Sequence, residues 1–405
     1  MQRLVINASE IVVVPDPGRP RVGKEMRDLG IIRDGHIIVE GERIVEVGPG
    51  FERGDEVIDA RGKTVLPGFV DPHTHLIFAG TREDEMMMRL DGLTYMEILK
   101  RGGGILRTVR ATREASKEEL EEQARRRLDT MLLHGTTTAE AKSGYGLDYE
   151  TERKMLEVIN GMKHPVDLVP TFLGAHALPP GRDGDEFIDE MIDVMSRVRH
   201  LAKFADIFCE RGVFTPEQSR RYLMAAREMG LVPKIHADEI ADIGCSAVAV
   251  DVGAISADHM VRTCDRSIKA LADAGIVAVF LPGTPYVLFH TEFPRARKFI
   301  EMRAPVAIAT DLNPNCFTEN MQMIISLAVT RMRMHVDEAI TAATLNAAYA
   351  LGLGDRGSIQ EGKLADIIVL NAPNRLHLGY HFGVNLVDTV IKRGRVVVKG
   401  QRHVA

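Results

Sequence analysis

Asp71-Pro72-His73-Thr74-His75 places two imidazoles two residues apart at the end of a short apolar run, Thr64 to Val70. In a β-strand, residues two apart point to the same side. His73 and His75 can therefore aim at one point, which suits a divalent metal. Polar residues of the same kind follow later apolar runs: Lys234-Ile-His236-Ala-Asp-Glu239, Ala257-Asp-His259 and Ala309-Thr-Asp311. Three histidines and an aspartate from these run ends make a nitrogen and oxygen ligand set with one position left for water. A metal so placed brings the pKa of water toward neutrality, the chemistry of a hydrolase. Asp311 can take the water proton and pass it to a leaving nitrogen. His259 and Glu239 sit where they can polarise a substrate or shuttle a second proton. The fourth run ends in Cys209-Glu210, without a lysine. Two-metal barrels often carry a carboxylated lysine there, so one ion per subunit is expected, zinc or iron.

Such a constellation needs a scaffold that brings distant strand ends together. Eight apolar, β-branched runs fill the middle of the chain: 65–71, 136–141, 166–173, 205–209, 232–236, 254–259, 276–281 and 306–311. Amphipathic stretches such as 117–133 and 216–229 lie between them, with apolar residues at helical spacing. Eight β/α units predict an α/β fold, a (β/α)₈ TIM-like barrel, whose catalytic groups lie at the C-terminal ends of its strands. An open doubly wound sheet is the alternative. The chain ends are strand-rich instead. Runs 35–41 and 43–48 are bounded by glycine, and 365–370 and 389–399 resemble them. A small β-sandwich domain built from both termini is expected, with boundaries at 1–66, 67–356 and 357–405.

The 405 residues are 45% hydrophobic and 27% charged, enough for a large core, and the net charge is -6 with both signs interspersed. That balance argues against a nucleic-acid partner. No apolar run is long enough for a membrane span, and Met-Gln-Arg-Leu-Val-Ile-Asn lacks the apolar block of a secretory leader. The four cysteines, Cys209, Cys245, Cys264 and Cys316, form no Cys-x-x-Cys and read as reduced thiols of a cytoplasmic protein. Gly102-Gly-Gly104 is not followed by Gly-Lys-Ser/Thr, so it reads as a mobile loop over a pocket and not as a phosphate loop. Met86-Met-Met88 reads as core or pocket wall.

These residues, in this order, resemble the amidohydrolase superfamily, as do 357–366 and the helical segment 337–348 before it. Further blocks look like the imidazolonepropionase family: Pro67 to His75, Gly80-Thr-Arg-Glu-Asp-Glu85, Gly102 to Ile105 with Thr108 to Arg113, and Lys142-Ser-Gly-Tyr-Gly-Leu147. Phe172 to Ala177, His236 to Glu239 and Thr310 to Pro314 complete the set. The resemblance implies hydrolysis of 4-imidazolone-5-propanoate to N-formimidoyl-L-glutamate, a step of histidine breakdown. It implies His73, His75, His236 and Asp311 as metal ligands. Arg82, Tyr145, His176 and Glu239 match substrate contacts, and Asn313 lies in a loop that also touches ligand. Asn315-Cys316 departs from the Gly-Thr or Gly-Ser that relatives commonly carry. Backbone contacts from 315 and 316 survive that change, whereas a hydroxyl contact from 316 does not.

Arg82 offers a planar, bidentate partner for the propionate. Tyr145 can hydrogen-bond ring or carboxylate, and His176 is the expected contact for the ring amide. The superfamily's habit of pairing points to a homodimer. Two other readings are a heterocycle deaminase, whose substrate lacks a propionate, and a non-catalytic barrel, which would have lost its ligands.

Overall fold

Residues 3–404 are described by the computed structural model, apart from the side chains of Tyr95, Met96 and Leu99. Four strands open the chain: β1 (Arg3–Ile11), β2 (Ile32–Glu40), β3 (Arg43–Pro49) and β4 (Glu56–Pro67). Eight short strands follow: β5 (Phe69–Asp71), β6 (Thr136–Lys142), β7 (Asp167–Ala175), β8 (Phe204–Cys209), β9 (Val232–Ala237), β10 (Ser256–His259), β11 (Val277–Phe280) and β12 (Val306–Ile308). Four more close it: β13 (Ile367–Leu370), β14 (Val387–Lys392), β15 (Arg395–Lys399) and β16 (Arg402–His403).

Strands β5 to β12 pair in sequence order, all parallel. The two ends of this sheet meet just beyond β5 and β12. Thr74 bridges Leu312, His75 N donates to Leu312 O at 2.8 Å, and Asp311 N donates to His73 O at 3.1 Å. The Asp71 carboxylate accepts from Thr310 N at 3.1 Å and from its hydroxyl at 2.5 Å. This closure makes the barrel and sets His73 and His75 beside Asp311.

The strands of both termini form one mixed sheet, ordered β16-β15-β14-β13-β4-β1-β2-β3. Its residues alternate between two apolar cores, as a period of two requires. Val65, Ile367 and Val369 face a small core with Leu4, Ile6 and Ile37, while Leu66, Ile368 and Leu370 join the barrel's core. The run 389–399 is two strands, because Arg393 (φ 48) and Gly394 (φ 75) form a two-residue turn between Lys392 and Arg395. The run 65–71 is also divided. Gly68 separates β4 from β5, and a Cβ there would meet the Thr137 side chain at 2.4 Å. One stretch of sequence thus serves both the terminal sheet and the barrel.

Two expectations need correction. Cys209, the last residue of β8, and Cys245, the first of the helix Cys245–Val252, form a disulfide with Cα atoms 5.8 Å apart. They are 36 residues apart in sequence, and only the adjacency of consecutive β/α units brings them together. Cys264 and Cys316 alone are free among the described residues. Nor is the methionine run core or cleft wall, since Met86 and Met88 are half-buried and none of the three lines the cleft described below. The run lies on the helix Glu83–Leu90, where Met87 is 52% exposed and only Glu85 is fully buried. Among the described residues no helix is long and apolar enough to cross a membrane.

Candidate active site and metal centre

Backbone alternation past the end of β5 sends His73 and His75 to one side, and β9 delivers His236 from across the barrel. Their donor nitrogens form a buried group able to hold a metal ion. His236 Nε2 lies 3.5 Å from His75 Nε2. Asp311 Oδ1 lies 3.5 Å from both His73 Nε2 and His75 Nε2. Donors about 2.0–2.1 Å from a tetrahedral ion sit about 3.4 Å from one another, so the spacing fits one divalent ion. His73 Nε2 is buried without a hydrogen-bond partner. A buried lone pair left bare in this way costs stability, and an ion removes that cost.

The opposite ring nitrogens fix the tautomers. His73 Nδ1 donates to Asp258 Oδ2 at 2.6 Å, and His236 Nδ1 faces Asp206 Oδ2 at 3.0 Å. A carboxylate only accepts, so the hydrogen-bonded Nδ1 of His73 carries the proton and its Nε2 presents its lone pair. Behind these carboxylates lie two wholly buried lysines. Lys142 reaches Asp206 at 2.7 Å and Glu140 at 2.8 Å, and Lys234 reaches Glu140 at 3.1 Å. Burial alone would lower the Lys142 pKa, but Asp206, Glu140 and Asp258 hold it above the ordinary lysine value. Burial would likewise raise Asp206, yet His236 and Lys142 draw it well below the usual carboxylate range. His73, Glu140 and Asp258 also form a group that could hold a metal. The two ammonium groups already supply the cations there, with Lys234 lying 3.8 Å and Lys142 3.9 Å from Asp258.

Asp311, three residues past the end of β12, takes a left-handed conformation (φ 53), as does His259, the last residue of β10 (φ 80). Single left-handed non-glycine residues cost roughly 1–3 kcal/mol and persist where surrounding contacts enforce them. For Asp311 those contacts are the Thr284 hydroxyl, donated to Oδ2, and the Asn313 side chain, donated to its carbonyl at 2.7 Å. Burial pushes Asp311 up to about 6 and Glu239 up to about 8, with Asp311 and Glu210 adding to the latter. Burial drives His73, His75 and His259 well below the usual histidine value, so all three are neutral imidazoles.

A cleft of about 650 Å³ opens over this cluster. Among its walls are Arg82, Tyr145, His176, Glu239, Asn313 and Asn315. His176 stacks on His75, with centroids 4.7 Å apart and planes at 9°. Its Nδ1 lies 3.0 Å from Gly144 O. A carbonyl accepts, so Nδ1 is protonated and Nε2 is free to accept from a ring N–H. Burial lowers the His176 pKa to about 3, which keeps it in that state. Tyr145 lies 5.2 Å from His176 and 5.7 Å from His75, centroid to centroid. The loop carrying it is held by Glu152, which accepts from Gly144, Gly146 and Leu147 N–H. His259 and Glu239 approach within 3.7 Å.

The sequence-derived residues gather here with one exception. Cys316 is fully buried, and its thiol packs against Thr310 O at 3.6 Å, turned away from the cleft. It belongs to the loop built around Asn313, whose Oδ1 accepts from Asn315 N and Cys316 N. The sequence reading did not single out Glu140, Asp206, Asp258, Thr284 or Arg211, the last a cleft-wall residue. A signal existed for some of them. Asp206 interrupts the apolar run Phe204 to Cys209, and Glu140 and Lys142 share one face of β6.

Comparison with known proteins agrees with this geometry. The amidohydrolase family model matches residues 64–397. An imidazolonepropionase of Geobacillus kaustophilus is 52% identical over 398 residues, covering 94% of this chain and 93% of that protein. One of Alkaliphilus metalliredigens is 48% identical, covering 98% and 97%. Among solved structures, an adenosine deaminase from Xanthomonas campestris with bound zinc superposes with a TM-score of 0.74 at 18% identity, over 99% and 94% of the two chains. Atrazine chlorohydrolase from Arthrobacter aurescens, complexed with zinc, gives 0.72 at 18% identity, over 99% and 96%. At such identities these two structures carry the fold alone.

Proposed function

The chain belongs to the imidazolonepropionase family of amidohydrolases, and from that premise we propose how its residues divide the work. The reaction is hydrolysis of the ring C–N bond of 4-imidazolone-5-propanoate, giving N-formimidoyl-L-glutamate. The observation that carries the reading is the convergence of three imidazoles and one carboxylate beneath a cleft that also presents an arginine.

His73, His75, His236 and Asp311 hold one ion, zinc or iron. When bound, that ion supplies Lewis acidity, acidifying water and polarising the amide carbonyl. Asp311 takes the proton of the attacking water as oxygen bonds to the carbonyl carbon. His259 stabilises the charge that develops on the carbonyl oxygen. His176 Nε2 accepts the ring N–H and fixes the ring's orientation. The C–N bond then breaks, its electron pair goes to the ring nitrogen, and Asp311 delivers the proton to that nitrogen, directly or through Glu239. Arg82 grips the propionate, with Tyr145 beside it, and Asn313 and Asn315 shape the far wall. We place the protein in the cytoplasm as a homodimer. The exposed apolar stretch of Leu376, Tyr380, Phe382 and Val384 supports pairing.

Arg82→Ala tests the substrate assignment. A lost charge-assisted pair raises KM by about tenfold or more and leaves kcat within about threefold. Steady-state kinetics on the intact substrate and on an analogue without the carboxylate measure this. A kcat defect at unchanged KM would contradict the assignment, as would equal turnover of the shortened analogue.

A further inference from the structure

Beyond Arg82, two sequence blocks have no part in the chemistry above: Thr81-Arg-Glu-Asp-Glu85 and Gly102-Gly-Gly104. In the structure they are one device, and Glu85 is its centre. This side chain is 1% exposed. Its Oε2 accepts from Arg82 Nε at 3.0 Å and from Arg82 Nη2 at 2.8 Å. Its Oε1 accepts from Gly104 N at 2.8 Å. Gly103 packs so closely beneath it that a Cβ would lie 2.9 Å from Oε1. Gly104 takes φ 72 as the cap of the helix Ile105–Glu114, and no side chain of that helix caps it. The first two residues of that helix, Ile105 and Leu106, form part of the cleft wall.

We propose that Glu85 is the positioning residue of the carboxylate subsite. A guanidinium has five N–H donors in a fixed plane. Glu85 occupies the side edge, Nε and Nη2, and leaves three donors, including one on each terminal nitrogen. Those two form the end fork, the edge presented to the substrate's carboxylate. The other oxygen of Glu85 sets the start of the helix that carries Ile105 and Leu106. One carboxylate thus fixes the distance between the cationic end and the apolar wall of the subsite. It explains why an acidic residue sits beside an arginine that must bind an anion, and why glycine fills 103 and 104. The inference rests on Arg82 being the propionate partner.

The test is a double-mutant cycle on the full-length, metal-loaded protein, read as KM and kcat for 4-imidazolone-5-propanoate, with metal content checked in each variant. Glu85→Ala is expected to raise KM about tenfold with kcat within about threefold, because misaimed binding groups act through substrate positioning. Glu85→Gln keeps an oxygen for Arg82 but turns a donor toward Gly104, and gives an intermediate KM. In the Arg82→Ala background either Glu85 change raises KM by clearly less than it does with Arg82 present, since the share of its effect that runs through the arginine is already lost. An unchanged or lower KM in both Glu85 variants overturns the proposal, as does an equal rise in the Arg82→Ala background. If Glu85→Ala does not fold, Glu85→Gln in both backgrounds decides by the same criteria. If Arg82→Ala itself leaves KM unchanged, the assignment of Arg82 fails, and the inference fails with it for a separate, visible reason.

Discussion

Asp311→Ala is expected to lower kcat by about 10³-fold or more. Loss of a general base alone costs about 10²–10⁴, and the same carboxylate faces the donor nitrogens of two histidines at 3.5 Å. Both effects fall on one residue because its two oxygens are differently engaged. Oδ2 takes the Thr284 hydroxyl, which leaves Oδ1 pointed at the cluster. The left-handed backbone at 311 is pinned by Asn313 and by the hydrogen bond from Asp311 N to His73 O. Alanine removes the carboxylate without disturbing that backbone bond. Steady-state turnover, with bound metal measured on the same preparation, checks the expectation. A variant that keeps ordinary turnover would show that proton transfer runs elsewhere.

The second large effect concerns metal retention. Asp258→Ala is expected to weaken metal binding about 10–100-fold, the usual cost of removing the partner that orients a ligating histidine. Asp258 lies on the Nδ1 side of His73, 2.6 Å away, while His73 Nε2 faces Asp311. One imidazole cannot turn the same nitrogen to both. Asp258 therefore acts by holding the proton on Nδ1 and by balancing Lys234 and Lys142. Burial raises its own pKa in spite of these lysines, so the group is costly to keep and is kept for what it holds. Competition with a chromophoric chelator reads the affinity without reference to activity. Unchanged affinity would show that the Nδ1 partner is dispensable.

The scaffold was legible because strand ends in a barrel announce themselves. Each of the eight apolar runs overlaps an observed strand, and polar residues at or just past the ends of four of them form the cluster. What escaped notice depended on contacts across the barrel. The single run 65–71 hides a change of sheet at Gly68, which only the Thr137 side chain opposite explains. Lys142 falls in a block that resembles the family, but its role depends on Asp206 in a strand 64 positions on. The Cys209–Cys245 pair joins two neighbouring β/α units and has no signature in spacing. Cys316 lies in a loop that does reach the cleft, yet the Asn313 turn rolls its thiol inward. In each case the missing information was which neighbour lay opposite, and a linear pattern does not carry it.

A metal held by His73, His75, His236 and Asp311 is proposed to drive hydrolysis of 4-imidazolone-5-propanoate. The measurement that tests it most directly is the ultraviolet absorbance decay of that compound, with non-enzymatic decay subtracted. It is followed with the protein as purified, after chelation, and after zinc or iron is returned. Rapid decay that chelation abolishes and one added metal restores is the predicted result. Decay that persists in metal-free protein, or none with either metal, would contradict the account.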